Sequence, residues 1–344
     1  RYAEAIDSAK QAFDIARSIW LNDHPDVATS LNNLGRSLEA RGQLAEAEPY
    51  FRDALAMRKR LFKDNHPDVA TSLSDLGGLL TALGQLAEAE LYFGDALAMH
   101  RRLFEGDHLD VATSLNNLGV LLKRRGQLAE AELYYRDALE MRKRLFVGDH
   151  TDVAISLNNL GLLLEAQGKI AEAEPYYRDA LAMYRKLFKS DHPYVALSLN
   201  NLGYLLFKAQ GQLAEAQPYL DDALEMRKRL FVGDHPDVAT SLNNLGGLLQ
   251  ARGQLAEAEP YFRDALEMKK RLFKDDHSDV ALSLNNLGLL LQAQGKLAEA
   301  RHYLGDALAM YKRLFEGNHP DVNTILNNLG VLLVISGRYS EALK

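Results

Sequence analysis

The chain has no cysteine, a single tryptophan and no long apolar run. The absence of cysteine excludes disulfide bonds, thiol catalysis and cysteine-ligated metal sites. The apolar runs span only a few residues, as in Val331 to Ile335, whereas a membrane helix needs about 20. The formal net charge is −7, and surfaces that bind nucleic acid are usually strongly basic. We therefore expect neither a nucleic acid nor a membrane as the partner.

Catalytic motifs are also missing. The sequence contains no Gly-x-Ser-x-Gly, no phosphate-binding glycine loop and no His-Glu-x-x-His, so it predicts no catalytic residues and no cofactor. The chain begins Arg1-Tyr2-Ala3-Glu4-Ala5, with neither an initiator methionine nor a signal peptide. We expect a non-enzymatic segment of a longer cytoplasmic protein.

Self-similarity is the main feature that is present. A histidine recurs with nearly the same surrounding text every 42 residues, and once after 43. The histidines of this set are His24, His66, His108, His150, His192, His235, His277 and His319. A period of roughly 20–50 residues indicates a repeat architecture rather than a single closed core.

Each unit contains two amphipathic helical segments. Between Pro25 and Arg41 the apolar residues fall three or four apart, and Gly42 stands where it would end a helix. A second helix is predicted from Leu44 to Phe62, with acidic residues in its early turns and basic residues near its end, as the helix dipole favours. Because no segment shows the alternation of a strand, the unit is predicted to be a helical hairpin.

Three irregularities interrupt the pattern. Proline stands about a turn and a half into four second helices, where we expect a tolerated bend. These prolines are Pro49, Pro175, Pro218 and Pro260. The second unit has Ser74-Asp75 where the others have Asn-Asn. The fifth unit has one additional residue within Phe207 to Gln210, which would either form a π-bulge or be absorbed at a helix end.

The recurring residues resemble the tetratricopeptide repeat signature. They are Leu31, Leu34-Gly35, Leu38, Ala47, Phe51 and Ala54 in the first unit. The 42-residue length and the string His-Pro-Asp-Val-Ala-Thr-Ser-Leu-Asn-Asn-Leu-Gly are closest to the kinesin-light-chain type of this repeat. Leucine stands where the signature often has its first tryptophan, and the usual proline after the second helix is missing. The resemblance implies an all-α, right-handed superhelical solenoid of stacked antiparallel helix pairs, with the first helices lining the inner wall.

We predict one such solenoid over residues 1–344. Its hairpins are expected at approximately 24–62, 66–104, 108–146, 150–188, 192–231, 235–273, 277–315 and 319–344, the last incomplete, after an orphan second helix at 1–20. Because the chain begins and stops in the same phase of the repeat, we expect uncapped ends that can stack head to tail between copies.

Helical geometry predicts which residues face the groove. Asn33 lies opposite the apolar face of its helix, whereas Asn32 lies on the flank. We expect the first asparagine of each pair to bridge to a neighbouring repeat, and the second to bind the backbone of an extended peptide, since an amide both donates and accepts. The second asparagines are Asn33, Asn117, Asn159, Asn201, Asn244, Asn286 and Asn328. The alternative is that they only tie helices together.

Apolar residues occupy other groove-facing positions and predict pockets for bulky apolar side chains. The alternatives are a crystal or self-association contact, or residues that the curvature of the superhelix covers. These residues are Val120, Ile155, Leu162, Leu197, Tyr204, Leu282 and Leu289. Arg36, Lys123 and Arg124 are candidates to receive acidic residues, but Glu39 and Glu165 interrupt any basic stripe, and no full carboxylate clamp is evident.

The recurring histidines do not predict a metal site, because each unit supplies only one of them and successive units hold theirs far apart. We expect them to cap helices. His100 and His302, on second helices, are interpreted as surface substitutions, and runs such as Arg142-Lys143-Arg144 as a response to the helix dipole. Trp20 aligns with Phe62 and is expected to pack.

The leading hypothesis is therefore a scaffold that binds an extended peptide or a partner protein in its concave groove, through the asparagines and the apolar pockets. The alternative is a structural or self-assembling spacer, or a regulatory array, within a larger multidomain signalling protein.

Overall fold

The structure is a computed structural model that describes residues 2–62, 65–209, 211–315 and 319–337. These ranges contain sixteen α-helices and no strand, which confirms the predicted all-α class. The chain divides into two compact units, Arg1–Lys169 and Ile170–Lys344. Within the described ranges, no helix combines the length and the apolar character needed to cross a membrane.

The first unit holds eight helices, in which 18-residue and 16-residue helices alternate. They are α1 (Tyr2–Ile19), α2 (Pro25–Ala40), α3 (Leu44–Leu61), α4 (Pro67–Ala82), α5 (Leu86–Leu103), α6 (Leu109–Arg124), α7 (Leu128–Leu145) and α8 (Thr151–Ala166). Each helix packs against the next, and α4 also contacts α6. Successive hairpins are therefore joined where the second helix of one packs against the first helix of the next, and α4 and α6 show that two first helices can also be in contact.

The second unit continues the same alternation of helix lengths. Its helices are α9 (Ile170–Leu187), α10 (Pro193–Lys208), α11 (Leu213–Leu230), α12 (Pro236–Ala251), α13 (Leu255–Leu272), α14 (Ser278–Ala293), α15 (Leu297–Leu314) and α16 (Pro320–Ile335). The first helices α10, α12, α14 and α16 contact one another in sequence. Residues 338–344 of the predicted last hairpin lie outside the described residues, and one continuous superhelix over the whole chain stays a prediction.

Small residues let the two helices of a hairpin approach closely. Ala47 and Ala54 of α3 are fully buried, and a Cβ built on Gly35 of α2 would lie 3.0 Å from the ring of Phe51. The same arrangement recurs at Gly77, where the ring of Phe93 would lie 2.9 Å from a Cβ. At Gly35 and Gly77, even one methyl group would crowd the facing ring, so a larger residue would force the ring or the helix to shift.

The recurring histidines begin the first helices, as predicted. Nδ1 of His66 accepts a hydrogen bond from the backbone N–H of Asp68 at 3.2 Å, which satisfies one of the free donors of the α4 N-terminus. The imidazole also stacks on Phe62 with ring centroids 3.7 Å apart, and Trp20 stacks on His24 in the same way. Each such stack joins the end of one hairpin to the start of the next.

The irregular positions are accommodated without a break in a helix. Pro49 lies inside α3, which continues through it. Helix α10 keeps its 16 residues and ends at Lys208 with Ala209 in extended conformation, so the additional residue falls in the connection to α11 and not in a π-bulge of the helix. Gln210 itself lies outside the described residues.

Candidate peptide-binding groove

Three first helices of the second unit, α10, α12 and α14, border a groove of about 680 Å³. Five of the residues predicted from the sequence line it: Tyr204, Asn244, Leu282, Asn286 and Leu289. Leu282 is 45% exposed, and the other four are half-buried. The groove therefore combines apolar side chains with amides on a surface that a ligand can reach.

Nine of the fourteen lining residues were not predicted from the sequence, and Phe207 and Gly247 are two of them. The ring of Phe207 lies edge-on to Tyr204 at 5.9 Å between centroids. Its Cε1 and Cζ atoms lie 3.6 Å from the point where a Cβ on Gly247 would stand, so the glycine leaves space beside the ring. A signal was available, because most other units have a polar residue at the position of Phe207. These residues are Glu39, Thr81, Lys123, Glu165, Gln250 and Gln292.

The remaining predicted residues lie on other parts of the two units. In the second unit, Leu197 of α10 is 37% exposed and Asn201 is half-buried. In the first unit, Asn33 is exposed, and the others are half-buried or lie at the limit of exposure. These first-unit residues are Asn117, Val120, Ile155, Asn159 and Leu162. Whether they contact a ligand stays a prediction.

The asparagines form bridges between successive first helices. Nδ2 of Asn159 donates to Oδ1 of Asn116 at 2.8 Å, and Nδ2 of Asn244 donates to Oδ1 of Asn200 at 3.0 Å. The bridge from Asn328 to Asn285, at 2.8 Å, has the same form. The first asparagine of a pair thus bridges repeats as predicted, but its partner is the second asparagine of the next repeat. The groove-facing amides therefore also brace the array.

An ion pair replaces this bridge in the first two hairpins. Oδ2 of Asp75 accepts from Asn32 at 2.9 Å, and Arg36 donates to both carboxylate oxygens at 2.8 and 3.0 Å. The pKa of nearby Glu39 is raised, first by burial and then by the charge of Asp75. Arg36, a candidate to receive an acidic ligand, is thus already paired with a carboxylate of the protein.

Two expectations are wrong, and both concern the same position near the end of the second helices. His100 is not a surface residue: it is 5% exposed, and its Nδ1 lies 2.8 Å from Oγ of Ser114 on α6. Arg142, at the equivalent position of α7, is also buried, and its Nη1 donates to Oγ of Ser156 at 2.7 Å. The helix dipole therefore does not account for Arg142, since its side chain ties a second helix to the next hairpin. His302 is exposed, as expected.

Protonation of His100 is expected to make stability depend on pH. Burial lowers the pKa of His100 from 6.5, while Asp110 raises it and His108 lowers it to a smaller extent. The unfolded chain therefore takes up a proton at a higher pH than the folded protein, so the contribution of His100 is complete above pH 6.5 and is lost as the pH falls through the folded-state pKa. Urea denaturation of the protein and of His100→Gln, at about pH 7.5 and 5.5, measures it. The variant should lose less stability on acidification, and equal losses would contradict this assignment.

The groove offers no metal chemistry: in the described part of the chain, no three His, Asp or Glu side chains are grouped so that they could hold a metal ion. The polar groups of its lining residues are amides, a threonine hydroxyl, the phenol hydroxyl of Tyr204, the carboxylate of Asp279 and the ammonium of Lys269. These groups can bind and orient a ligand through hydrogen bonds and charge.

Comparison with known proteins identifies the repeat. Models of the tetratricopeptide repeat match residues 27–68, 68–144, 110–186, 152–212, 194–271 and 279–344. No curated protein sequence matches the chain.

Solved structures share the fold. BtubC (BKLC) from P. vanneervenii is 26% identical, with 67% of this chain and 92% of that chain covered and a TM-score of 0.57. A Podosopora anserina protein, described as a kinesin light chain with nearly identical TPR-like repeats, is 23% identical, with 61% and 100% covered and a TM-score of 0.51. A Rap protein complexed with competence and sporulation factor is 18% identical, with 79% and 76% covered and a TM-score of 0.53. The chain belongs to the tetratricopeptide repeat family.

Proposed function

We propose that the protein is a non-enzymatic scaffold that binds an extended segment of a peptide or partner protein in the groove bordered by α10, α12 and α14. The observation that carries the proposal is the composition of this groove, in which apolar side chains that are open to a ligand alternate with amides. The Rap protein, a structural neighbour, has been crystallised in complex with competence and sporulation factor, which supports a binding role for this type of array.

The apolar part of the groove would receive a bulky side chain of the ligand. Tyr204, Phe207, Leu282 and Leu289 surround the space that Gly247 leaves open. Burial of a large apolar side chain contributes roughly 1.5–3 kcal/mol, which suits a segment with at least one aromatic or branched apolar residue.

The amides would hold the backbone of the ligand. Asn244 is half-buried, and its Nδ2 already donates to Asn200, which leaves its Oδ1 as an acceptor for a ligand N–H. We extend the proposal to the other predicted residues, which would contact the ligand separately within each unit. These are Asn201, Asn328 and Leu197 in the second unit, with Asn33, Asn117, Asn159, Val120, Ile155 and Leu162 in the first.

Filling the groove is expected to abolish ligand binding without unfolding the protein. Leucine already occupies the position of Gly247 in other repeats, as Leu162 and Leu289, and no heavy atom lies closer than 3.6 Å to the new Cβ. Gly247→Leu should therefore fold, improve helix propensity and fill the apolar space. The measurement is selection of a random displayed peptide library on the protein and on the variant. Peptides should be enriched on the protein and not on the variant.

A matched control lies in the same unit. Gly305 of α15 does not line the groove, and a Cβ there would meet no heavy atom within 4 Å. Gly305→Leu should enrich the same peptides as the unsubstituted protein. If no peptide is enriched on any of the three, or if Gly247→Leu enriches the same set, the proposal is wrong.

Exposed apolar residues on the first and last described helices favour the alternative, a self-assembling spacer. Ile15 and Ile19 of α1 are 60% and 61% exposed, and Val331 and Ile335 of α16 are 53% and 56% exposed. Two apolar faces of this kind would stack between copies in a heterologous, propagating contact. Under this alternative, light scattering should show a mass that rises with protein concentration, and Ile15→Glu should suppress the rise. A constant monomer mass would exclude it.

A further inference from the structure

Arginine side chains connect neighbouring second helices. On α9, Nε of Arg178 donates to Glu174 of the same helix at 2.9 Å. Its two Nη atoms reach across to α11, where they donate to Glu215 at 2.7 Å and to the hydroxyl of Tyr219 at 3.2 Å. A planar guanidinium with acceptors on two helices fixes the orientation of one helix relative to the other. We call this arrangement the outer clamp.

The outer clamp recurs with similar geometry at other pairs of second helices. Between α13 and α15, Nη1 of Arg263 donates to the hydroxyl of Tyr303 at 3.2 Å, and Nη2 lies 3.5 Å from Glu299. In the first unit, Nη1 of Arg52 on α3 donates to the hydroxyl of Tyr92 on α5 at 3.2 Å. The clamp therefore belongs to the repeat, and a pair that lacks the arginine can be compared directly with pairs that have it.

The α11–α13 pair lacks the arginine. Asp221 of α11 stands at the position of Arg178. On α13, Glu257 and Tyr261 keep the two acceptor positions of the clamp. An ionised carboxylate is only an acceptor, so Asp221 cannot donate to either of them. Acidic residues thus stand on both helices where other pairs have an arginine between its acceptors, and the attraction across the middle of this pair is lost.

The ends of the α11–α13 pair are tied through connecting segments. Nε of Arg271, near the end of α13, donates to Asp234 of the α11–α12 connection at 2.7 Å. Arg252, in the connection from α12 to α13, donates to Gln217 of α11. The clamped α13–α15 pair has counterparts of both contacts. The central clamp is therefore the feature that distinguishes the two pairs.

A buried polar network holds the first helices of the same two hairpins together. Arg227, near the end of α11, is 3% exposed, and its Nη1 donates to Oγ of Ser241 on α12 at 2.7 Å. Nδ2 of Asn244 on α12 donates to Oδ1 of Asn200 on α10 at 3.0 Å. Buried and satisfied polar contacts of this kind are rigid. The two hairpins are therefore joined more firmly through α10 and α12 than through α11 and α13.

The next two hairpins show the opposite arrangement. Their second helices, α13 and α15, have the clamp of Arg263. Between their first helices, Ser283 of α14 accepts from Nδ2 of Asn243 at 3.2 Å, while Oδ1 of Asn243 is buried without a hydrogen-bond partner in the described part of the chain. The groove thus lies over two joints between hairpins that are fixed on different sides.

We propose that the α11–α13 pair is a hinge of the second unit. The α10–α11 and α12–α13 hairpins rotate relative to each other about the buried network between α10 and α12, while the spacing of α11 and α13 changes. Tyr204 and Phe207 of α10 lie on one side of the hinge and Gly247 of α12 on the other, so the angle between these two walls of the groove changes with the motion. The inference goes beyond the scaffold function, because it holds whether or not the groove binds a ligand.

Spin labels can measure the hinge directly, because the chain has no cysteine that would be labelled unintentionally. Exposed alanines stand at the equivalent second position of α11, α13 and α15, as Ala214, Ala256 and Ala298. One labelled protein carries Ala214→Cys with Ala256→Cys, and the other carries Ala256→Cys with Ala298→Cys. Pulsed electron paramagnetic resonance then gives the distance distribution of each pair. Since the positions are equivalent, motion of the label itself contributes equally to both.

Three substitutions move or imitate the clamp. Asp221→Arg supplies the missing guanidinium, and Arg263→Asp removes the one between α13 and α15. Asp222→Arg is the control, because it makes the same change of charge one residue further along α11. Asp222 is exposed, and its carboxylate lies 3.9 Å from Arg185 of α9 rather than at the clamp position. Circular dichroism melting curves confirm that each labelled variant is folded.

We expect a broader distance distribution across α11–α13 than across α13–α15. Asp221→Arg should narrow it to the width of the α13–α15 pair, Arg263→Asp should broaden the α13–α15 distribution, and Asp222→Arg should leave the α11–α13 distribution unchanged. Equal widths in the unsubstituted protein, or narrowing by Asp222→Arg as large as by Asp221→Arg, would overturn the hinge. If Asp221→Arg does not fold, the comparison of the two unsubstituted pairs and the response to Arg263→Asp still decide the question.

Discussion

Leucine in place of Gly77 is expected to lower the free energy of unfolding by about 3 kcal/mol, whereas leucine in place of the adjacent Gly78 should raise it by up to about 1 kcal/mol. A Cβ on Gly77 would lie 2.9 Å from Cδ1 of the Phe93 ring, which is only 4% exposed. No heavy atom lies within 4 Å of a Cβ on Gly78, so leucine there adds helix propensity without a clash. Urea denaturation of both variants measures the difference.

The two substitutions are matched in side chain, helix and neighbouring sequence. Leucine is already present at the position of Gly78 in two other repeats, as Leu162 and Leu289, whereas all eight repeats have glycine at the position of Gly77. A second adjacent pair, Gly246 and Gly247, repeats the comparison in the second unit, where a Cβ on Gly246 would lie 3.2 Å from the ring of Phe262. If Gly77→Leu and Gly78→Leu had similar stabilities, the close helix approach described at Gly77 would be incorrect.

Removing the hydroxyl of Ser241 is expected to cost about 1–3 kcal/mol, because it leaves the buried Arg227 guanidinium with one acceptor fewer. Nη1 of Arg227 would then retain only the main-chain carbonyl of Asp237, at 2.9 Å. Burial already lowers the pKa of Arg227, in accord with the cost of holding this charge away from water. Thermal and urea denaturation of Ser241→Ala test this expectation.

Ser283→Ala is the control for the expected loss of stability in Ser241→Ala. Ser283 is equally buried, but it accepts from the neutral amide of Asn243, which also donates to the carbonyl of Ala239 at 3.2 Å. Its loss should cost less than about 1 kcal/mol, since no charged donor is left unsatisfied. Combining Ser241→Ala with Arg227→Met should recover part of the stability, because the uncompensated charge is removed together with its acceptor. Additive losses in the double variant would contradict the assignment.

The helix bounds could be predicted from the sequence because the determinants are local. His24 caps α2, Pro25 occupies its first turn, and Gly42 follows it with a φ of 82°, which a glycine adopts without strain. Each of these residues acts within a few positions of itself, and the 42-residue repeat shows the same determinants many times. Helical periodicity also identified five of the residues that line the groove, and the direction of the other predicted residues stays a prediction.

The burial of Arg142 and His100 could not be predicted in this way. Both lie in the last turn of a helix, where basic residues are common on the surface. Their burial depends on a serine that follows 14 residues later on the next hairpin, so it requires the packing of two hairpins to be known. Whether two asparagines are bridged has the same origin, because it depends on contacts between two hairpins: Nδ2 of Asn243 donates to Ser283 of the next hairpin, and within the described residues its Oδ1 has no hydrogen-bond partner.

Because Trp20 stacks on His24, the fluorescence of the chain's one indole should report on the contact between α1 and α2. The two rings are nearly parallel, at 5°, and join α1 to the start of α2. In stacked arrays, neighbouring repeats separate with their own free energies, and the opening of one joint need not involve distant ones. Intrinsic tryptophan emission will consequently follow the opening of this first joint alone, and a transition monitored in this way will coincide with the loss of helical circular dichroism only if the array unfolds as one cooperative body.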